Sequence, residues 1–249
     1  MTGFELPRSS DRHPDTRLLG RLRPTAARLM RRRWHVTVHH PEHVPATGGV
    51  ILAANHVGIL DGPLLATFAP RPVHALTKRE MFDGRLGRFL LRTGQIPLDR
   101  FAADPAAVRS SLRVIRDGGA VGIFPEGTRS SGLLERFHHG AAYLALVTGA
   151  PVVPVTMIGT RADPSGSSSL PERGADIEIV FGSAWQTTQQ PWPRTREQVT
   201  ATSVLLRRHM LSEVDSALAL TRRSLRGPLP AGQSENDPDT GLVSPIQKP

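Results

Sequence analysis

The chain has 249 residues, enough for one α/β domain or two small ones, and its 39% apolar and 21% charged residues suit a buried core under an ordinary soluble surface. The formal net charge is +9, and residues 1–40 hold nine arginines against Glu5, Asp11 and Asp15, so most of the excess sits at one end and points to a polyanion, either lipid headgroups or nucleic acid. There is no cysteine, which excludes disulfides, thiolate metal sites and a cysteine nucleophile.

No apolar h-region opens the chain, and no run approaches the roughly 20 apolar residues that span a bilayer. The longest candidate, residues 141–159, is broken by Thr148, Gly149, Pro151 and Pro154. The expectation is a cytoplasmic protein, at most peripheral on the inner face of the cell membrane.

Residues 1–15 are expected to be disordered. Residues 16–34 carry a helical pattern with Leu18, Leu22, Leu29 and Met30 as apolar positions, seven arginines and no acid. Pro24 interrupts it, which predicts two short helices or a kink. This basic N-terminal arm, residues 1–34, either lies on an anionic membrane surface or packs on the domain with a solvated basic face. Strands are expected at 34–38, 49–54 and 73–77. Between the last two, Asp61-Gly62-Pro63 reads as an N-cap opening a helix over 63–68. A helix over 80–92 follows, apolar at Phe82, Leu86, Phe89 and Leu90, then a short strand at 95–98. Its arginines Arg85, Arg88 and Arg92 read as a solvated or membrane-facing side.

Asp104-Pro105 starts a cleaner helix with Val108, Leu112 and Ile115 inward, ended by Gly118-Gly119. A buried strand is expected at 120–124, a helix at 140–148, and strands at 152–158 and 176–181. Residues 164–171 read as a loop rich in Ser, Gly and Pro. A long helix spans 195–222, with Val199, Leu206, Met210, Val214 and Leu218 on one side. The alternation of strand and helix predicts an α/β fold, a mixed and largely parallel sheet flanked by helices, over residues 35–225. The tail, residues 226–249, is rich in proline and glycine and is expected to be disordered.

Two polar clusters each follow an apolar strand. In the first, His56 stands five residues before Asp61. A neutral imidazole can take a proton from an alcohol as that alcohol attacks a carbonyl, and a carboxylate can fix its tautomer. On a regular helix the two side chains would sit about 140° apart, so the pair needs His56 in the turn and Asp61 at the helix start. By spacing alone, the pair reads equally as a helix cap beside a turn histidine. In the second cluster, residues 124–130, Gly127 permits close backbone approach, Arg129 can fork onto a phosphate, and Thr128 and Ser130 can add hydroxyl donors. His39-His40 and His138-His139 do not predict a metal site, since adjacent histidines point apart on a strand and no third ligand is spaced to join them.

With both clusters in view, the chain resembles the glycerolipid acyltransferase family typified by bacterial 1-acyl-glycerol-3-phosphate acyltransferases. The family's N-H-x-x-x-x-D block is matched by Asn55, His56 and Asp61. Its G-x-I-x-x-x-R block is matched by Gly94, Ile96 and Arg100, and its F-P-E-G-T-R-S block at every position of 124–130. Its proline-containing apolar block looks like residues 150–155. The second block has Pro97 where an aromatic is common, and His138-His139 stand where the family often has a lysine.

The resemblance implies His56 as general base, Asp61 as its orienting partner, and Arg100 and Arg129 on an acceptor phosphate. It also implies that Asn55, Gly94, Glu126, Gly127, Thr128 and Pro154 shape the substrate site. The donor would be a fatty acyl thioester on coenzyme A or acyl carrier protein, with no other cofactor. The acceptor would be 1-acyl-sn-glycerol-3-phosphate or another lysophospholipid or lipid alcohol. With no cysteine and no G-x-S-x-G, direct attack in a ternary complex is favoured over an acyl-enzyme. A basic membrane-binding protein without catalysis and a thioesterase using His56 on water are the competing readings. Nucleic acid is not expected as a partner, because no recognised motif is present and aromatics are only 5%.

Overall fold

A computed structural model describes residues 10–162 and 169–228. The sheet is built on β2 (Val50–Ala54), an apolar run buried at every position, as a strand covered on both faces requires. Successive side chains point to opposite faces. Ile51 and Ala53 enter one core, while Val50, Leu52 and Ala54 enter the other.

The remaining strands are β1 (His35–His39), β3 (Val73–Lys78), β4 (Ile96–Leu98), β5 (Ala120–Ile123), β6 (Val152–Ile158) and β7 (Asp176–Phe181). They form one seven-stranded sheet in the order β1-β7-β6-β2-β5-β3-β4. Strands β6, β2, β5, β3 and β4 are parallel; β7 runs antiparallel to β6 and carries β1 parallel to itself. The carboxyl ends of five strands therefore share one edge of the sheet.

The helices are α1 (Arg17–Arg33), α2 (Asp61–Phe68), α3 (Gly84–Arg92), α4 (Pro105–Arg116), α5 (Gly140–Thr148) and α6 (Arg196–Thr221). α4, α5 and α6 cover the first core; α1 and α2 cover the second. Asp104 caps α4 by accepting from the N–H groups of Ala106 and Ala107, and a Thr195–Gln198 capping box opens α6.

Several expectations are corrected. Pro24 does not split the N-terminal pattern into two helices, the first of the two alternatives: α1 runs through it as one helix. Proline withholds a single N–H bond, and packing against α2 and β1 holds the helix through it. The arm packs on the domain, one of the two placements left open for it: Arg23 donates to the carbonyls of Thr67 and Ala69, and Arg31 stacks on the Phe68 ring. Residues 10–15 are docked: Ser10 N–H donates to Arg109 O, and His13 meets Asp117. The predicted helix over 80–92 is a 3-10 turn, Arg79–Phe82, followed by α3. Residues 1–9, most of the 164–171 loop and most of the tail lie outside the described residues.

Candidate active site

β2 ends at Ala54, and the chain turns sharply through His56 before α2 begins at Asp61. Asp61 does not cap that helix as expected. Leu60 holds the cap position, and the Asp61 carboxylate folds back over the turn. Its Oδ2 accepts from the N–H groups of Val57 (2.6 Å) and Gly58 (2.9 Å) and from His56 Nδ1 (2.8 Å). Glycine is required at 58, because a β-carbon there would overlap the Thr160 carbonyl at the end of β6. Asp61 is fully buried, while the His56 side chain keeps 17% of its surface exposed. A carboxylate only accepts, so the hydrogen sits on Nδ1 and Nε2 is left as the basic nitrogen. The Phe124 ring lies 4.5 Å from the imidazole, centroid to centroid.

The second cluster is bolted to the first. Glu126 Oε2 accepts from the His56 N–H at 2.5 Å, and the Ser130 N–H donates to His56 O at 2.7 Å. Glu126 Oε1 takes the Ser130 hydroxyl (2.7 Å) and the Leu134 N–H (2.9 Å). Leu134 has φ of 52°, a left-handed conformation rare for leucine, and it is pinned from its other side by Arg207 Nε on its carbonyl. Burial pushes the Glu126 carboxyl up from 4.5 to about 7, against the three hydrogen bonds that favour its charge, and the Asp61 carboxylate adds to the rise. Gly127 turns the loop with φ of 73°. Its carbonyl accepts from Arg100 Nη1 at 3.0 Å, which brings the end of β4 to the same place. All of this lies at the carboxyl edge of the sheet, where open α/β sheets bind ligands.

Residues 35–158 match the family model described as Acyltransferase. The 1-acyl-sn-glycerol-3-phosphate acyltransferase of Bacillus subtilis is 31% identical over 152 residues, covering 60% of this chain and 73% of that protein. The chain belongs to the acyltransferase family. The corresponding Borreliella burgdorferi protein is 34% identical over 132 residues, and the chain spans 52% of its length. The crystal structure of the Thermotoga maritima 1-acyl-sn-glycerophosphate acyltransferase superposes with a TM-score of 0.62 at 22% identity, covering 83% of this chain and 80% of that one.

In this acyltransferase the structure brings His56, Asp61, Arg100, Glu126, Gly127, Thr128 and Arg129 together at one edge, with Thr128 buried and Arg129 half-buried. Three residues that the resemblance assigns to the substrate site have structural surroundings of their own. The Asn55 amide is spent on Met157, accepting from its N–H and donating to its carbonyl, and so splices β2 to β6. Pro154 is buried inside β6, paired with Ala53. Gly94 precedes β4 at the opposite edge, with φ of 76°, against Asp15 and His74. Glu126 and Ser130 bind each other and the backbone; neither points a free group at a phosphate.

Sequence reasoning missed Arg161. It is buried and donates to Ser130 O (3.3 Å) and Gly227 O (2.8 Å), tying the segment after α6 to the site. No local signal marks it, because both partners are distant in sequence. The expectation that no third ligand stands near His39-His40 also needs correction. His40 leaves β1 with φ of 51°, and the turn Pro41–His43 brings donor atoms of His40, Glu42 and His43 within 4.8 Å of one another. That surface cluster sits at the amino edge, as does an open cavity of about 270 Å³ beside Ile115, Arg116 and Gln189.

Proposed function

We propose that the protein transfers a fatty acyl group from an acyl thioester, on coenzyme A or acyl carrier protein, to the free hydroxyl of 1-acyl-sn-glycerol-3-phosphate, giving phosphatidic acid for phospholipid synthesis. The observation that carries the chemistry is the 2.8 Å bond from His56 Nδ1 to a buried Asp61 carboxylate. It leaves Nε2 to take the acceptor's hydroxyl proton as the oxygen attacks the thioester carbonyl. The imidazolium then returns that proton to the departing thiolate. Asp61 orients the ring and stabilises its charge. No acyl-enzyme is needed, since the acceptor oxygen attacks directly.

Arg100 donates to the Gly127 carbonyl and Arg129 follows two residues later in the same loop, and we assign both to the acceptor phosphate. No helix among the described residues is long and apolar enough to cross a membrane. We therefore place the enzyme as a peripheral protein on the inner, anionic face of the cell membrane, where its acceptor resides.

The test is thiol release from acyl-CoA with and without lysophosphatidic acid, with the lipid product identified by mass spectrometry. Release only with acceptor, and phosphatidic acid as product, is expected. Release without acceptor would make the protein a thioesterase, and no release would leave it a binder. Arg129→Lys should raise KM for the acceptor far more than for the donor, because a point charge cannot replace a two-pronged guanidinium. Equal effects on both would remove Arg129 from the phosphate.

A further inference from the structure

The exposed apolar side chains of this protein are unevenly placed. Each crossover that leaves the carboxyl edge after β2, β3, β4 and β5 exposes one large apolar residue: Ile59 (46%), Met81 (41%), Phe101 (55%) and Leu133 (40%). The returning crossovers at the amino edge, residues 69–72, 93–95, 117–119 and 149–151, expose none. Trp192, in the connection from β7 to α6, is the exception on that side.

α3 adds to the asymmetry. It begins just past the carboxyl end of β3, and its main packing partner is the 3-10 turn before it. Of its nine residues only Gly87 is buried. Leu86 (51%) and Phe89 (46%) stand exposed on one face and Leu91 (53%) in the last turn, and Arg85, Arg88 and Arg92 stand exposed beside them with no acid in the helix. An uncovered amphipathic helix flanked by arginines matches a lipid interface: apolar groups enter below the headgroups, and guanidiniums meet the phosphates.

We propose that the corner formed by the carboxyl edge and the first turns of α3 is a docking surface for an anionic bilayer, so that His56 faces the leaflet. The apolar groups sit singly on four separate loops, a spread that suits shallow insertion into a plane. A protein partner would call for one contiguous patch. α1 also exposes Leu22 (38%) and Leu29 (57%) beside arginines, but it packs on α2 and β1, and Arg23 and Arg31 are engaged with α2 and the residues after it, so it is secondary in this arrangement. The proposal adds a surface and an orientation to the acyl-transfer reading, and its binding arm is measured without turnover.

The experiment uses the full chain and vesicles of phosphatidylglycerol in phosphatidylcholine. Leu86→Asp with Phe89→Asp should lower vesicle co-sedimentation at least tenfold, while turnover of a monomeric short-chain acceptor stays within twofold. Leu22→Asp with Leu29→Asp in α1 should change binding by less than threefold. The absence of native cysteine allows a second readout that does not depend on those variants folding. An environment-sensitive dye on Phe89→Cys or Leu133→Cys should shift to the blue with anionic vesicles, and one on Leu205→Cys in α6 should not. Three results would overturn the proposal: wild-type protein that ignores anionic vesicles, dyes at 89 and 133 that stay in water, or binding lost through α1 and kept without α3. Dyes that respond to an acidic carrier protein and not to vesicles would assign the surface to the donor's carrier instead. Loss of acyl transfer to every acceptor, with binding intact, would fault the enzymatic reading alone.

Discussion

The protein holds two histidine–aspartate pairs of nearly equal length at opposite edges of its sheet. At the carboxyl edge, His56 and Asp61 meet at 2.8 Å with side chains 17% and 0% exposed; at the amino edge, His13 and Asp117 meet at 2.9 Å with 36% and 34% exposed. Asp117 Oδ2 is already taken by Arg113 Nε at 2.6 Å, four residues back along α4. That contact, with help from His13, holds the Asp117 carboxyl below the usual range. Asp61 has no such cation. Two N–H groups and one imidazole share its Oδ2 in a dry setting. The bond length is common to both pairs and therefore decides nothing. What separates them is where the carboxylate's charge is spent: on a guanidinium in water, or on an imidazole and two N–H groups in a buried turn.

Replacing each pair in turn is the sharpest way to break this comparison. His56→Ala removes the group that takes the proton and should lower kcat/KM by about 10²–10⁴-fold, with an unchanged far-ultraviolet spectrum, since the ring is partly exposed. Asp61→Asn should come next. The amide keeps the shape, and with its carbonyl in the Oδ2 place it can hold all three bonds, but it brings no charge to stabilise the imidazolium. A fall of about 10²-fold in rate is expected, with the urea midpoint near that of wild type. Near wild-type turnover in either variant would put the two pairs on the same footing and end the assignment.

The third way concerns Glu126, whose counterpart is missing at the amino edge. Its folded value of about 7 lies above the ordinary 4.5. Between those values the native state holds a proton that the unfolded chain has released, so this group makes stability fall as pH rises from 4.5 to 7, with no further change above. The span is on the order of 3 kcal/mol for an uncompensated shift of that size. Urea unfolding of wild type and Glu126→Gln at several pH values should show the decline in the first and its absence in the second. Asp104, Asp117 and Asp176 act at more acidic pH, and the lowered values of His74 and His139 make stability rise with pH below 6.5 in both proteins alike, so the decline is read from the difference between the two. The variant should also be slower, since an amide cannot accept from His56 N–H, Ser130 and Leu134 together. Parallel pH profiles for the two proteins would deny Glu126 this role.

These particulars mark where sequence reasoning reached its end. α5, β6 and β7 are found at the boundaries predicted for them, and the start of α4 at Asp104-Pro105 was legible, because apolar period and capping chemistry are local. The order of the strands was not legible. Nothing in residues 35–39 announces that their partners are residues 176–180. The same limit applies at the site. His56, Asp61 and Arg129 could be nominated from short blocks, but the Glu126 staple spans 70 residues of sequence and the Asn55–Met157 bridge spans 102. A residue carried over with a motif can therefore also hold structure, as Asn55 does in binding Met157. Asp61 was misread as a cap for a related reason: a carboxylate at a helix start satisfies N–H groups on either side of it, and only the turn's fold decides which.

The smallest effect belongs to the amino-edge pair, and it tests the comparison from the other side. His13→Ala removes a half-exposed imidazole from Asp117, which keeps its contact with Arg113 along α4. Exposed pairs of this kind are worth about 0–1 kcal/mol after solvent screening, so the urea midpoint should barely move. The edge-on contact of His13 with His74, 5.2 Å between centroids, is lost as well. His74 nonetheless stays buried and bonded through Nδ1 to the Gly94 carbonyl, which keeps the start of β4 in place. Turnover should stay within about twofold, because no part of this pair reaches the edge where His56 works. A tenfold loss in kcat at constant stability would mean that the docked segment ahead of α1 acts on the site through α4 and β5. The two ends of the sheet could then no longer be treated as independent.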